Sequence, residues 1–144
     1  ELKYYQITNN LFTYAQKDSY NYLKGKHSFN QKCSFSKSFL EKLSPDKKII
    51  LDTKIDTKSN LNYDTLNTIF DIVGINDNNF KKYKSTLNRL VNLRHRIAHG
   101  ENSIILDINN VKEYVDFAIQ LMDLILFEIE NYAKEEKYLK ERYR

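Results

Sequence analysis

Six consecutive residues of the chain concentrate two arginines and two histidines, the densest group of potentially reactive side chains in the sequence. Arg94, His95, Arg96 and His99 lie in the stretch LVNLRHRIAHGE, which covers residues 90–101. An imidazole can accept or donate a proton near neutral pH, and a guanidinium can hold a phosphate through two parallel hydrogen bonds. The segment therefore offers candidate proton-transfer groups beside candidate anion-binding groups.

The spacing of Arg94 and His99 limits how the two can cooperate. At about 100° per residue, a separation of five residues places them roughly 140° apart around a regular α-helix. They can converge on one substrate only if the helix breaks near Gly100 or if a second chain takes part.

Arg94 and His99 also have structural interpretations. Arg94 falls on the apolar stripe of Leu87, Val91 and Ala98, so on the buried side of a helix it would need a polar or anionic partner. That partner could be a carboxylate in an internal salt bridge or a phosphate. A histidine at the end of a helix can simply bond a free carbonyl.

Metal and hydrolase sites have little support. His95 and His99 are one helical turn apart, which suits two metal ligands, but no HExxH pattern accompanies them and Cys33 lies far away. We therefore expect no metal. The chain also lacks a Ser-His-acid pattern, a glycine-rich phosphate loop and a pair of carboxylates at catalytic spacing.

Two helices are predicted to position the arginines and histidines. The first follows a capping Asn62 and ends before Gly74. The second is capped by Asn76 or Asp77, carries the motif and is closed by Gly100.

A long helix is predicted to follow. Asn110 and Glu113 form a capping-box pattern at its start. Between Phe117 and Phe127 the helix is apolar on more than one side, which fits either a central core helix or one that packs against a second protomer. The predicted seam of this helix consists of Val111, Val115, Ala118, Met122, Ile125, Ile129 and Tyr132.

The first 58 residues are less regular. Apolar periodicity predicts a helix over residues 2–23, followed by a polar loop over residues 25–38. A short helix is expected near residues 39–43, and a short strand or extended segment within residues 47–58.

Composition favours one cytoplasmic domain over residues 1–144, with the motif-bearing part at about 60–130. The net charge of +4 and the pI near 9.0 favour polyanionic partners. Cys33 is the single cysteine, which points to a reducing compartment, and no stretch reaches the length of a membrane span. The chain opens with Glu1 rather than methionine, which is compatible with a truncated N-terminus.

The segment Arg94-His-Arg-Ile-Ala-His99 resembles the defining motif of the HEPN superfamily. That motif is an arginine, then four to six residues, then a histidine, commonly with a polar residue after the arginine; His95 fills that position. The similarity extends over roughly residues 60–130 and includes Gly74-Ile75 and the residues Gly100-Glu101 that follow the motif.

The resemblance implies an all-α, HEPN-type bundle of four to five helices with a long C-terminal helix, which pairs into a homodimer. It points to the small prokaryotic branch found in toxin and phage-defence contexts, and so to an endoribonuclease that needs no metal or cofactor. In such a dimer two protomers would present their motifs to one cleft. The residues that carry over are Arg94 and His99 as catalytic groups, His95 and Arg96 as supporting groups, and Arg89 and Lys84 as contacts to the RNA backbone.

Two other interpretations stay open. A non-catalytic HEPN module could use the same residues to bind RNA or nucleotide or to stabilise a dimer, and a helical adaptor could share the motif by chance. HEPN toxins that are silenced by nucleotidyl transfer usually have a tyrosine two places after the motif histidine, where this chain has Glu101. That form of control is not expected here, although an antitoxin or a regulatory partner domain still is.

Overall fold

A computed structural model of the protein describes residues 2–49, 55–56, 61–101 and 107–144. Over these residues the chain is all-α, as predicted, with five α-helices and no strand. The helices are α1 (Asn9–Ala15), α2 (Phe29–Leu43), α3 (Tyr63–Val73), α4 (Lys84–Ala98) and α5 (Ile108–Lys134). Within the described ranges, none of them combines the length and the apolarity that crossing a membrane requires.

The chain divides into two compact units, which are described separately. The first unit comprises Glu1–Ile55, Ile72–Gly74 and Glu135–Arg144, and contains α1 and α2. The second, here called the motif unit, comprises Asp56–Asp71 and Ile75–Lys134, and contains most of α3 and all of α4 and α5.

The start of the first unit differs from the predicted helix over residues 2–23. Helix α1 begins only at Asn9, and Ser19–Leu23 forms a separate 3₁₀ turn. Before α1, Ile7 is buried and forms an isolated antiparallel bridge with Leu139. The helix prediction is therefore wrong for residues 2–8, because pairing with a distant segment outweighs the local apolar spacing.

The predicted polar loop over residues 25–38 is wrong from residue 29 onward, where α2 begins. Its start is a capping box: the Gln31 N–H donates to Ser28 Oγ at 3.3 Å, and the Ser28 N–H donates to Gln31 Oε1 at 2.8 Å. Phe35 on α2 then stacks against Tyr20 with ring centroids 5.8 Å apart. Of the strand expected within residues 47–58, residues 50–54 and 57–58 lie outside the described residues, and Lys48 forms an isolated antiparallel bridge with Lys3.

The motif unit is built around an apolar core to which α3, α4 and α5 all contribute. Phe80 is fully buried, and its ring centroid lies 4.5 Å from that of Phe70. Removal of this apolar surface from water is the main force that holds the helices together. The buried core residues are Tyr63, Leu66, Phe70, Phe80, Leu87 and Leu121.

The predicted ends of α3 are confirmed. Asn62 Oδ1 accepts a hydrogen bond from the Thr65 N–H at 2.9 Å, so Asn62 caps the helix start. Gly74 has φ 81°, a left-handed conformation that suits glycine, and ends the helix. Asn76 caps a 3₁₀ turn rather than α4 itself, which begins at Lys84.

Helix α5 begins at Ile108, so the predicted capping-box start at Asn110 is wrong: Asn110 lies inside the first turn. Most of the predicted seam is exposed in the single chain, although its member Ile125 packs against the core. Leu121 is the buried residue of α5, and Phe117 and Leu124 pack beside it, whereas the seam residue Met122 is 60% exposed. Within one chain, α5 therefore leaves its more regular apolar side in contact with solvent.

Candidate functional site

The motif occupies the last turns of α4 and the cap that ends it. The Gly100 N–H donates to the Ile97 carbonyl at 3.0 Å, and the Glu101 N–H donates to the Arg96 carbonyl at 3.1 Å. These two bonds and the φ of 75° at Gly100 form a Schellman cap. The His99 N–H still donates to the His95 carbonyl at 3.0 Å, so the helical path continues to the cap without a break.

Because α4 is regular, Arg94 and His99 project from different sides of it, about 140° apart. The His99 ring lies against His95, edge to face, with centroids 4.2 Å apart. Arg94, by contrast, lines a groove on the other side of the helix. Arg94 and Ala98 are both exposed in the single chain, so the expectation of a buried arginine is wrong.

The groove that contains Arg94 lies between α4 and α5 and has a volume of about 520 Å³. Apart from Arg94 and Tyr114 its walls are aliphatic, with Leu90, Ile97 and Val115 among them. It will be called the apolar groove.

The apolar groove continues along α5 as a line of exposed apolar side chains. They recur at steps of three and four residues and fall within a sector of about 80° around the helix. Their exposed fractions range from 37% to 62%. This apolar strip consists of Ile108, Val111, Val115, Ile119, Met122, Leu126 and Ile129.

A second concavity, with a volume of about 840 Å³, lies on the other side of Leu93 and Tyr114, which line both. It will be called the basic cleft, and it brings together the two predicted RNA contacts, Lys84 and Arg89, with Arg96. The guanidinium carbon of Arg89 lies 5.4 Å from the centroid of the Tyr114 ring, a cation–π contact. The residues that line the cleft are Lys81, Lys82, Lys84, Ser85, Asn88, Arg89, Asn92, Leu93, Arg96 and Tyr114.

Glu101 holds Arg96 in a two-point salt bridge. Arg96 Nε donates to Oε2 at 2.6 Å and Nη2 donates to Oε1 at 2.5 Å. The hydrogen bonds and the negative charge of Glu101 raise the pKa of Arg96 further above its ordinary value. Glu101 stands where HEPN toxins that are silenced by nucleotidyl transfer usually have a tyrosine. In this chain it holds the Arg96 guanidinium at the rim of the basic cleft.

Seven of the ten lining residues of the basic cleft were not predicted from the sequence, among them Lys81, Lys82, Asn88, Asn92 and Tyr114. Asn88 and Asn92 lie one turn apart on the same face of α4 as Arg89 and Arg96, a spacing that could have indicated them. Tyr114 reaches the cleft from α5, which only the packing of the helices reveals. Among the described residues, no three His, Cys, Asp or Glu side chains come together as a group that could hold a metal ion.

An all-α chain that carries an arginine–histidine motif at the exposed end of a helix, beside a basic cleft, has the features of a HEPN domain. The chain belongs to the RiboL-PSP-HEPN family, whose model matches residues 1–131. The resemblance drawn from the motif is confirmed, and the match extends further towards the N-terminus than the motif region suggested. HEPN domains are often ribonucleases or nucleotide-binding modules, and many bind RNA and dimerise. No curated protein and no solved structure matches the chain.

The cap at the end of the motif leads to a prediction about stability. Gly100→Ala is expected to lower the free energy of unfolding by about 1 kcal/mol, because a Cβ is unfavourable at a φ of 75°. Among the described residues, leaving aside the adjoining backbone, no atom lies within 4 Å of the added Cβ, so the cost should come from the backbone conformation. Urea unfolding measures the change in the free energy of unfolding. Gly100→Asn should lose less stability than Gly100→Ala, because asparagine tolerates this conformation. Equal stability of wild type and Gly100→Ala would show that the cap contributes nothing.

Proposed function

We propose that this chain is a metal-independent endoribonuclease of the toxin or phage-defence type, in which Arg94 and His99 of two paired copies form one RNA-cleaving site. The observation that carries the proposal is the position of the two residues. They share one exposed helix end but lie on different sides of it, and Arg94 borders an exposed apolar surface. Because the two side chains diverge within one chain, the proposed site draws on both copies.

The apolar strip supports pairing with a second copy of the chain. Seven exposed apolar residues along one side of α5 make a surface of the kind that marks a protein–protein interface. Their spacing of three and four residues is typical of packing between two helices. The strip is continuous with the groove that holds Arg94, and a two-fold axis through such a surface brings each element close to its own counterpart.

The chemistry follows from the two residue types. One His99 accepts the proton of a ribose 2′-hydroxyl, whose oxygen attacks the adjacent phosphorus. The His99 of the other copy donates a proton to the departing 5′-oxygen. Arg94 stabilises the charged phosphorane through parallel hydrogen bonds. The products are a 2′,3′-cyclic phosphate and a 5′-hydroxyl, and no metal is required.

The neighbouring cations would have supporting roles. His95, in ring contact with His99, would orient it or the phosphate. Lys84 and Arg89 would attract the RNA backbone electrostatically. Arg96 is already paired with Glu101, so its contribution to RNA binding would require exchange of that carboxylate for a phosphate. We further propose that the protein acts on cellular RNA in the cytoplasm, restrained by an antitoxin or a regulatory partner.

A non-catalytic RNA- or nucleotide-binding module is the second candidate. The observation that favours it is the basic cleft, whose cations all come from a single copy and do not include His99. The two candidates differ in whether RNA is cut or only held.

The test is incubation of end-labelled RNA with the purified protein in EDTA, followed by analysis of the new ends. Cleavage in EDTA that leaves 2′,3′-cyclic phosphates and 5′-hydroxyls supports the ribonuclease. Products with 5′-phosphates, or cleavage that EDTA abolishes, would contradict the mechanism. RNA that is bound tightly but left intact would favour the binding module.

A further inference from the structure

We infer that the basic cleft is a binding site for single-stranded RNA, in which one unstacked base lies on the Arg89–Tyr114 pair and the flanking phosphates contact the lysines. The inference deepens the proposed function, on which the assignment to RNA rests. It adds that the RNA is single-stranded and that the Arg89–Tyr114 pair selects it.

The charge of the cleft favours a polyanion. Five of its lining residues are cations, and among the described residues that line it none is acidic. Lys81 lies 3.4 Å from Asp77 and Lys84 lies 3.9 Å from Asp64, but these pairs are solvent-exposed on the lysine side. Exposed pairs of this kind are weak, so phosphates can replace the carboxylates at little cost.

The Arg89–Tyr114 pair supplies a surface for a base. Arg89 is exposed and Tyr114 is half-buried, so the guanidinium is the accessible member of the pair. Unpaired RNA bases stack on guanidinium planes and aromatic rings, whereas the bases of a duplex are stacked on one another and cannot. Asn92 lies exposed in the next turn of α4, where its amide can pair with a base edge.

The register of α4 connects the cleft to the motif. Arg89, Asn92, Arg96 and His99 follow one another at steps of three and four residues, within a sector of about 80° around the helix. From Arg89 to His99 the helix rises about 15 Å. An RNA strand bound along this face of α4 would extend from the base site at Arg89 to His99 within a few nucleotides.

Arg89→Lys tests the base site, because it keeps the charge and removes the planar group. Binding is measured by fluorescence anisotropy, over a range of salt concentrations, with a short labelled single-stranded RNA and with a duplex RNA of the same length. His99→Ala serves as the parent protein so that the RNA is not consumed. Arg142→Lys is the matched control, because Arg142 makes the same kind of contact with Tyr143, at 4.8 Å, in the first unit.

Arg89→Lys is expected to weaken binding of single-stranded RNA about tenfold without changing its salt dependence, and to leave duplex binding and the control unaffected. Equal affinity of Arg89→Lys and its parent for single-stranded RNA would overturn the inference, as would an equal loss on the duplex. Different results would contradict the proposed nuclease activity and the proposed base site. A wild type that never cuts RNA but shows this selective loss refutes cleavage alone, and a wild type that cuts while Arg89→Lys binds normally refutes the base site alone.

Discussion

His99→Ala is expected to lower the rate of RNA cleavage by about 10²- to 10⁴-fold, the usual contribution of general acid–base catalysis. If both copies of His99 act in one cleft, the substitution removes the acid and the base together. Its effect on folding should be small, because His99 is exposed and its backbone bond to the His95 carbonyl does not need the imidazole. Initial rates on a labelled RNA in EDTA give the measurement, with circular dichroism to check the fold.

Arg94→Ala should reduce cleavage by about 10²- to 10³-fold, since it removes the group that stabilises the phosphorane. His27→Ala is the matched control: His27 is exposed and lies in the first unit, far from the motif in sequence. A variant of His99 or Arg94 that is folded, dimeric and as active as wild type would exclude that residue from catalysis.

Met122→Glu is expected to convert the proposed dimer to a monomer and to abolish cleavage. Met122 lies in the apolar strip and is 60% exposed, so the isolated chain should still fold with glutamate there. In a dimer that buries the strip, each copy would bury an unpaired carboxylate, which costs several kcal/mol. Light scattering gives the oligomeric state, and the RNA assay gives the activity of the same sample.

Phe127→Glu is the control for this substitution. Phe127 is 59% exposed on the same helix, but it lies about 140° around α5 from Met122 and outside the strip. It should remain dimeric and active. A Met122→Glu protein that is still a dimer would show that the strip is not the interface. Dissociation of both variants would mean that the contact lies elsewhere or covers more of α5.

The parts of the fold that depend on local signals could be predicted from the sequence. Asn62, Gly74 and Gly100 mark helix ends because a side-chain cap and a left-handed glycine act on their own neighbours. The segment before α1 could not be predicted in this way, since Ile7 pairs with Leu139 at the other end of the chain. Helix α2 carried a readable capping box, but its apolar partner Tyr20 lies in another element.

Helix α5 shows what periodicity cannot decide. Two sides of this helix are apolar, and the sequence predicted a seam along the more regular side without deciding whether the core or a second copy covers it. The structure buries Leu121 instead and exposes Met122, because the core is chosen by the helices that α5 meets and not by its own pattern. For the site, residue type and spacing were enough to single out Arg94 and His99 as candidates. Tyr114 could not be found, since its contact with Arg89 joins two helices.

Subunit mixing tests most directly whether two copies of the motif form one site. Wild-type protein is mixed with increasing amounts of His99→Ala, the subunits are allowed to exchange, and cleavage is measured at constant total protein. If one cleft requires both copies of His99, only dimers of two wild-type chains cut RNA. Activity then falls as the square of the wild-type fraction, to about a quarter in an equal mixture. A fall in simple proportion, to about half, would mean that each chain carries a complete site and would contradict the shared cleft.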